Sequence, residues 1–344
     1  MGLDLTERFS RQILLSGIGQ EGMRRLRSSR VAVIGCGALG SAEAELLARA
    51  GVGFIRLVDR DVVDYTNIHR THMVGEREAE EGTPKATACA EGVRLIDSSI
   101  RTEVLIDDVD SDNVEGVVAD VDIILDGSDN LETRFLINEA AVKAKRPWVY
   151  AGVSSWYGTA MLIWPGRGPC FRCFMTPVPD AEQRCDIIPT IGTVTTMTGA
   201  VAAGLAIRYL VGDPPSPDEL ILIDGRNMAI DKVQVRRNPS CPVCGLGRFE
   251  LLTRSPARGL RRLCGANAYK LRLASEPPLD SVAAALRGRY EWVTARPGWV
   301  RVVTRDGVTV TLMGRLAVIE NAASEEEARR AYDEVAETAG LPRV

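Results

Sequence analysis

Apolar positions along the chain fall first into short runs without polar alternation, at Val31 to Ile34, Phe54 to Val58 and Val121 to Asp126. Runs of that length and kind predict parallel strands covered on both faces. A further strand is expected around Glu103 to Ile106, and two more in PWVYAGV and YGTAMLIWPG, whose poor alternation also suits double coverage. Helices are expected at Ser41 to Ala50, residues 84–97, Asp112 to Ala119 and Leu131 to Lys145, with Pro84 opening the second of these. Residues 5–28 carry helical spacing interrupted by Gly17, Gly19 and Gly22, which predicts two short helices. Met197 to Leu210 is the most apolar stretch, but Thr198, Gly199, Gly204 and Arg208 interrupt it, so it reads as a buried helix and not a membrane span. Strands alternating with helices predict an α/β fold, a mostly parallel sheet with helices on both faces.

After Gly247 the pattern changes. Residues 1–248 read as one unit, 249–265 as a basic linker, and 266–344 as a small α+β module. The module is expected to hold a strand near Tyr269 to Leu273, a helix from Leu279 to Leu286 and several strands from Tyr290 to Ile319, turning at Arg305, Asp306 and Gly307. A last helix opens on a capping box, Ser324 with Glu327. No residue there suggests chemistry, so its expected role is docking, dimer contact or stability.

The candidate chemistry gathers around the first strand, which ends in Gly35, Gly37 and Gly40. Such glycines permit a tight turn and close backbone approach to a phosphate, while the next helix aims its N–H groups at the anion. Asp59 follows Gly40 by 19 residues, where a carboxylate can accept from ribose hydroxyls. That much fits NAD as well as ATP. Asp61, Asn67 and Arg70 then complete D-x-D-x-x-x-x-x-N-x-x-R, with Lys85 in GTPK and Arg11 near the start. A diphosphate cofactor has little need of those cations, whereas a triphosphate attacked at its α-phosphorus gathers charge that they would stabilise. Asp129, in the GSDN loop after Val121 to Asp126, falls at the carboxyl end of the sheet, as a site residue or as a helix N-cap.

Eight cysteines in a chain without a leader-like start read as metal or catalytic groups, in a cytoplasmic setting. Cys170 with Cys173 and Cys241 with Cys244 form two C-x-x-C pairs with 67 residues between them, able to close a tetrahedral structural zinc site between distant segments. Cys36, Cys89 and Cys264 read as small core residues. Charged residues are 26% and net charge is −4, which gives no electrostatic case for nucleic acid. His69 and His72 flank Arg70 and read as contact residues.

GCGALG, LVDRDVVDYTNIHR, GTPK and DGSDNLETR, with the opening ERFSRQILL, together resemble the ThiF/MoeB/HesA family over roughly residues 5–250. These are bacterial relatives of the ubiquitin-activating enzymes. The resemblance implies a Rossmann-like fold and ATP-dependent adenylylation of the C-terminal Gly-Gly carboxylate of a ubiquitin-like sulfur-carrier protein, with release of pyrophosphate. It places the chain in thiazole (thiamine) or molybdopterin biosynthesis, with a separate sulfur donor protein and structural zinc. It also implies that Asp129 binds magnesium, Arg70 and Lys85 clamp the phosphates, and Arg11, possibly joined by Arg8, reaches the nucleotide of a partner subunit in a homodimer. Cys185, beside Arg184, stands where thiazole-type members carry a cysteine that links to the carrier, although Asp186 to Pro189 depart from their usual sequence. Two rival readings are a tRNA threonylcarbamoyladenosine dehydratase-like enzyme and an NAD-dependent oxidoreductase, the latter carried only by GCGALG and Asp59.

Overall fold

The computed structural model describes residues 5–176, 189–255, 259–262 and 268–343; Cys185 and Cys264 lie outside the described residues. The first sheet holds β1 (Arg30–Ile34), β2 (Phe54–Val58), β3 (Arg101–Leu105), β4 (Ile123–Asp126), β5 (Trp148–Ser154), β6 (Tyr157–Ile163), β7 (Glu219–Asp224) and β8 (Ala229–Gln234). Its order is β3-β2-β1-β4-β5-β6-β7-β8, with β1 to β5 parallel and the remaining pairs antiparallel. The chain goes one way from β1 to β2 and returns on the other side as β4. That reversal opens a crevice at the carboxyl ends of β1 and β4, where open α/β sheets bind ligands.

Side-chain alternation explains the uninterrupted apolar strands. Val31 and Val33 enter one core with Ile55 and Leu57, while Ala32 and Ile34 enter the other with Val58 and Ile124. The helix Gly192–Val211 packs across the first of these cores against the helix Ala38–Ala50. A Cβ on Gly199 would come 2.9 Å from the Ala42 Cβ, so the glycine allows the two helices to approach. The expected buried helix is therefore present, begun earlier, with Val194, Ala202 and Ala206 fully buried.

Three differences from the expected elements have local causes. The helix expected from Ser41 begins at Ala38 because Gly37 already occupies its N-cap. The start of the chain forms three helices, Leu5–Arg8, Ser10–Ile13 and Gly19–Ser28, and Gly22 lies inside the last, packed on Ile18 and Val211. Within the stretch expected as linker, β9 (Leu260–Arg262) pairs with β10 (Ala268–Arg272).

β11 (Val293–Arg296), β12 (Trp299–Val303), β13 (Thr309–Met313) and β14 (Leu316–Glu320) complete an antiparallel second sheet, ordered β11-β12-β13-β14-β10-β9. One face is covered by the helices Leu279–Arg287 and Glu325–Ala339. The other lays Trp299, Met313, Leu316 and Val318 against Val62 and Ile106, residues of the loops after β2 and β3. Trp299 is 1% exposed in this contact. Trp299→Ala is expected to lower unfolding free energy by about 3–5 kcal/mol, read from the urea midpoint.

Candidate active site

The crevice is shaped by backbone crowding. Gly35 has φ +93°, and a Cβ there would lie 2.5 Å from the Gly127 carbonyl oxygen. A Cβ on Gly40 would come 1.8 Å from the Gly35 oxygen. Gly37 faces open space, and its helix begins with no side-chain cap, leaving the first N–H groups of Ala38–Ala50 available.

Asp59, directly after β2, accepts from the Cys36 backbone N–H at 2.6 Å and from Asp61 N–H at 2.7 Å. It thereby joins the glycine loop to the loop after β2. Burial, then the charge of Asp61, raises the Asp59 carboxyl to about 6. Burial also opposes ionisation of Asp61, but Lys85 and Arg60 overcome it and hold that carboxyl at about 2. Lys85 Nζ stands 3.1 Å from Asp61 Oδ2, and Lys85 N–H donates to the Asp61 carbonyl at 2.9 Å. Arg70 donates to the Thr66 carbonyl and lies 3.1 Å from His69 Nε2; it has no carboxylate partner among the described residues. Asn67 accepts from Asp64 N–H at 3.1 Å and so caps the single turn Tyr65–Asn67.

Asp129 lies in the loop after β4, exposed and without a hydrogen bond or ion pair among the described residues. The alternative of an N-cap falls to its neighbour: Asn130 caps the helix Leu131–Ala144 by accepting from Thr133 N–H at 2.8 Å. The Asp129 charge nevertheless acts on Lys85, Arg60 and Arg134. The loop is braced from beneath by Arg134, which donates to Asp126 at 2.9 Å, to the Ser128 carbonyl at 2.6 Å and to the Ala151 carbonyl at 3.0 Å. Glu43, fully buried beside Asp126 with neither oxygen partnered, has its carboxyl raised well above the usual range by burial and then by Asp126. Burial and Asp126 thus both disfavour its charged form, next to the carboxylate that Arg134 balances.

Gly35, Gly37, Gly40, Asp59, Asp61, Lys85 and Asp129 thus come together at one end of the sheet, with Arg70 in the adjoining loop. Arg11 does not join them. It is exposed on Ser10–Ile13 with no hydrogen bond or ion pair among the described residues, while its neighbour Gln12 donates to the Ala50 carbonyl at 3.0 Å. Ala50 ends the helix whose other end meets the glycine loop, a separation of roughly 18 Å at 1.5 Å per residue. Arg8 is engaged elsewhere, 2.8 Å from Asp97. His72 bridges Glu45 at 2.7 Å and Thr196 at 2.9 Å, a contact role as expected. Arg60, Asp126 and Arg134 escaped the sequence reading as site-building residues, although all three stand inside its motifs.

The paired cysteines converge: Cys170 and Cys241 Sγ are 3.6 Å apart, Cys173 and Cys244 3.4 Å, and all four lie within 4.8 Å of one another. Thiolates at about 2.3 Å from one zinc ion would be about 3.8 Å apart, so the donor set and its spacing fit a structural zinc.

Comparison with known proteins decides the family, since residues 9–243 match the ThiF family. The chain belongs to it. It is an adenylyltransferase of the ThiF and MoeB type. The sulfur carrier protein ThiS adenylyltransferase of Bacillus subtilis is 32% identical over 299 residues, spanning 85% of this chain and 88% of its own length. The sulfur carrier protein adenylyltransferase of Thermus thermophilus is 32% identical over 247 residues, spanning 70% of this chain and 90% of its own. The fold is similar to that of E. coli MccB, with TM-score 0.63 and 22% identity over 74% of this chain and 76% of that one.

Two outcomes follow from this ThiF-family site. The Asp59 carboxyl ionises near 6 and is a stronger acceptor when ionised, so on the expectation that it meets ribose hydroxyls, ATP affinity, measured calorimetrically with magnesium in excess, is expected to fall from pH 7 to pH 5. Asp59→Asn should bind weakly without that step. For folding the sign is opposite: the raised carboxyl stabilises below its unfolded value near 4, and that contribution is lost as pH rises through 6. Elemental analysis is expected to find about one zinc per chain, lost in Cys241→Ser.

Proposed function

We propose that this enzyme uses ATP to adenylylate the C-terminal Gly-Gly carboxylate of a ubiquitin-like sulfur-carrier protein, of the kind that supplies sulfur to thiazole synthesis. The observation that carries the reading is the joining of Asp59, Asp61, Lys85 and the exposed Asp129 to the glycine loop within a ThiF-family chain. The match to the Bacillus subtilis ThiS enzyme, which runs over more residues than the family stretch, favours the thiazole type over the molybdopterin type.

Asp59 holds the ribose, and Gly35, Gly37 and Gly40 admit the phosphates. Asp61 keeps Lys85 charged and aimed, Lys85 and Arg70 clamp the phosphates, and Asp129 offers an unengaged carboxylate to magnesium. Asn67 serves the set by shaping the turn before Arg70. The carrier carboxylate is already ionised, so it needs no general base. It attacks the α-phosphorus in line, the bond to the β-phosphate oxygen breaks, pyrophosphate leaves with that electron pair, and an acyl-adenylate remains. Catalysis rests on positioning and charge neutralisation. Arg11 completes the site of a second subunit, a role supported by its exposure and by its anchorage at the far end of the Ala38–Ala50 helix. Cys185 is the candidate nucleophile for a later step, in which its thiolate displaces AMP from the acyl-adenylate to give a thioester. The sulfur atom comes from a separate donor protein.

The test is exchange of labelled pyrophosphate into ATP. Exchange is expected to require magnesium and a carrier ending in Gly-Gly; dependence on tRNA, or NAD binding without exchange, would sink the proposal. Arg70→Ala, Lys85→Ala and Asp129→Ala are each expected to lose about 10²–10³-fold. Arg11→Ala and Asp129→Ala, each inactive alone, should regain roughly a quarter of wild-type exchange when refolded together, because half of the random dimers hold one intact shared site.

A further inference from the structure

The second sheet packs on the loops after β2 and β3 that border the candidate site. Along β10, alternation sends Tyr269 and Leu271 into the helix-covered core and leaves Lys270 and Arg272 on the opposite face. That face meets the loop after β3. Arg272 pairs with Asp110 and lies 3.6 Å from Asp107, and Lys270 Nζ pairs with Asp108 Oδ2. The other oxygen of Asp108 accepts from Arg60 Nη1 at 2.7 Å. Arg60 stands between Asp59 and Asp61, its Nε 3.6 Å from Asp61 Oδ1. Asp59 N–H donates to the Leu105 carbonyl at 3.2 Å, which locks the ends of β2 and β3 side by side.

We propose that Lys270 is a positioning residue for the nucleotide: by holding Asp108 it fixes the Arg60 guanidinium between Asp108 and Asp61, where its flat face forms the shelf on which the purine base stacks. This rests on the reading of the site as an ATP site. Arg60 has its edges engaged by two carboxylates, and engagement at the edge leaves the faces of a guanidinium free for an aromatic ring. A side chain already fixed also loses less rotamer freedom when the base arrives.

Stability alone does not call for a lysine here. Lys270 is 14% exposed, and burial followed by the charge of Arg60 lowers its pKa in spite of Asp108. A cation held where its charged form is disfavoured adds little to folding that an apolar chain of equal length would not. Its charge does reach the site, where it helps to keep Asp61 ionised. The supporting wall is tight, since a Cβ on Gly314 would fall 2.6 Å from the Ile106 carbonyl oxygen. The family match ends at residue 243, so this wall comes from a part of the chain beyond it.

The decisive comparison is between ATP and tripolyphosphate, which lacks base and ribose, by calorimetry with magnesium in excess. Lys270→Met is expected to weaken ATP about tenfold and tripolyphosphate less than twofold, with KM for ATP rising in exchange assays and kcat held. Lys270→Arg should restore most of the affinity, and Arg60→Leu should reproduce the selective loss even if Lys270→Met folds poorly. Equal weakening of both ligands, or none, in a Lys270→Met protein with an unchanged melting temperature overturns the proposal. Wild-type protein that fails to bind ATP at all would instead sink the parent reading.

Discussion

The site depends on how closely three glycines let the backbone approach itself. Gly35, Gly40 and Gly127 lie so near one another that a methyl group on any of them would strike a backbone atom at 2.8 Å or less. This crowding draws the turn after β1, the first turn of the Ala38–Ala50 helix and the loop after β4 into one layer. Because the contacts are backbone to backbone, no neighbouring side chain can move aside to accept a larger residue. The crevice above that layer is lined with N–H groups, and the carboxylates of Asp59 and Asp129 approach it from the two flanking strands.

Charge is then distributed so that no site cation is left to the low-dielectric interior alone. Lys85 is balanced by Asp61 and Arg134 by Asp126, while burial and the neighbouring Asp126 disfavour a second negative charge on Glu43. Among the described residues Arg11 and Asp129 are exposed with no hydrogen bond or ion pair, and the half-buried Arg70 has a backbone carbonyl and a histidine as its hydrogen-bonding partners. A site neutralised within itself needs no bound polyanion to keep its shape.

Much of this was legible from the chain, and the limits are physical. β1, β2 and β4 could be read because burial on both faces removes polar alternation, and the glycine loop could be read because only glycine tolerates its geometry. Asp129 and Asn130 are both good capping types, so residue type alone leaves Asp129 ambiguous, and the structure gives the cap to Asn130. The helix starts at Ala38 and Gly192 were missed because glycine and isoleucine N-caps carry no side-chain signal. Arg60, Asp108 and Lys270 could not be joined by inspection, since Asp108 and Lys270 are 162 positions apart and meet only through the packing of Trp299, Met313 and Leu316 on Val62.

The cysteine cluster has a bearing on how the chain assembles. Each C-x-x-C knuckle offers two donors, and partners from the two knuckles are separated by 71 positions. Closing so long a loop in an unfolded chain carries an entropic penalty that grows with its length. Before folding, a metal ion would meet two weak bidentate chelates and not one strong tetradentate one. Capture of an ion by all four thiolates would therefore follow the docking of the segment after β6 against the segment beyond β8, and a loaded cluster would mark a chain in which those two segments have already met.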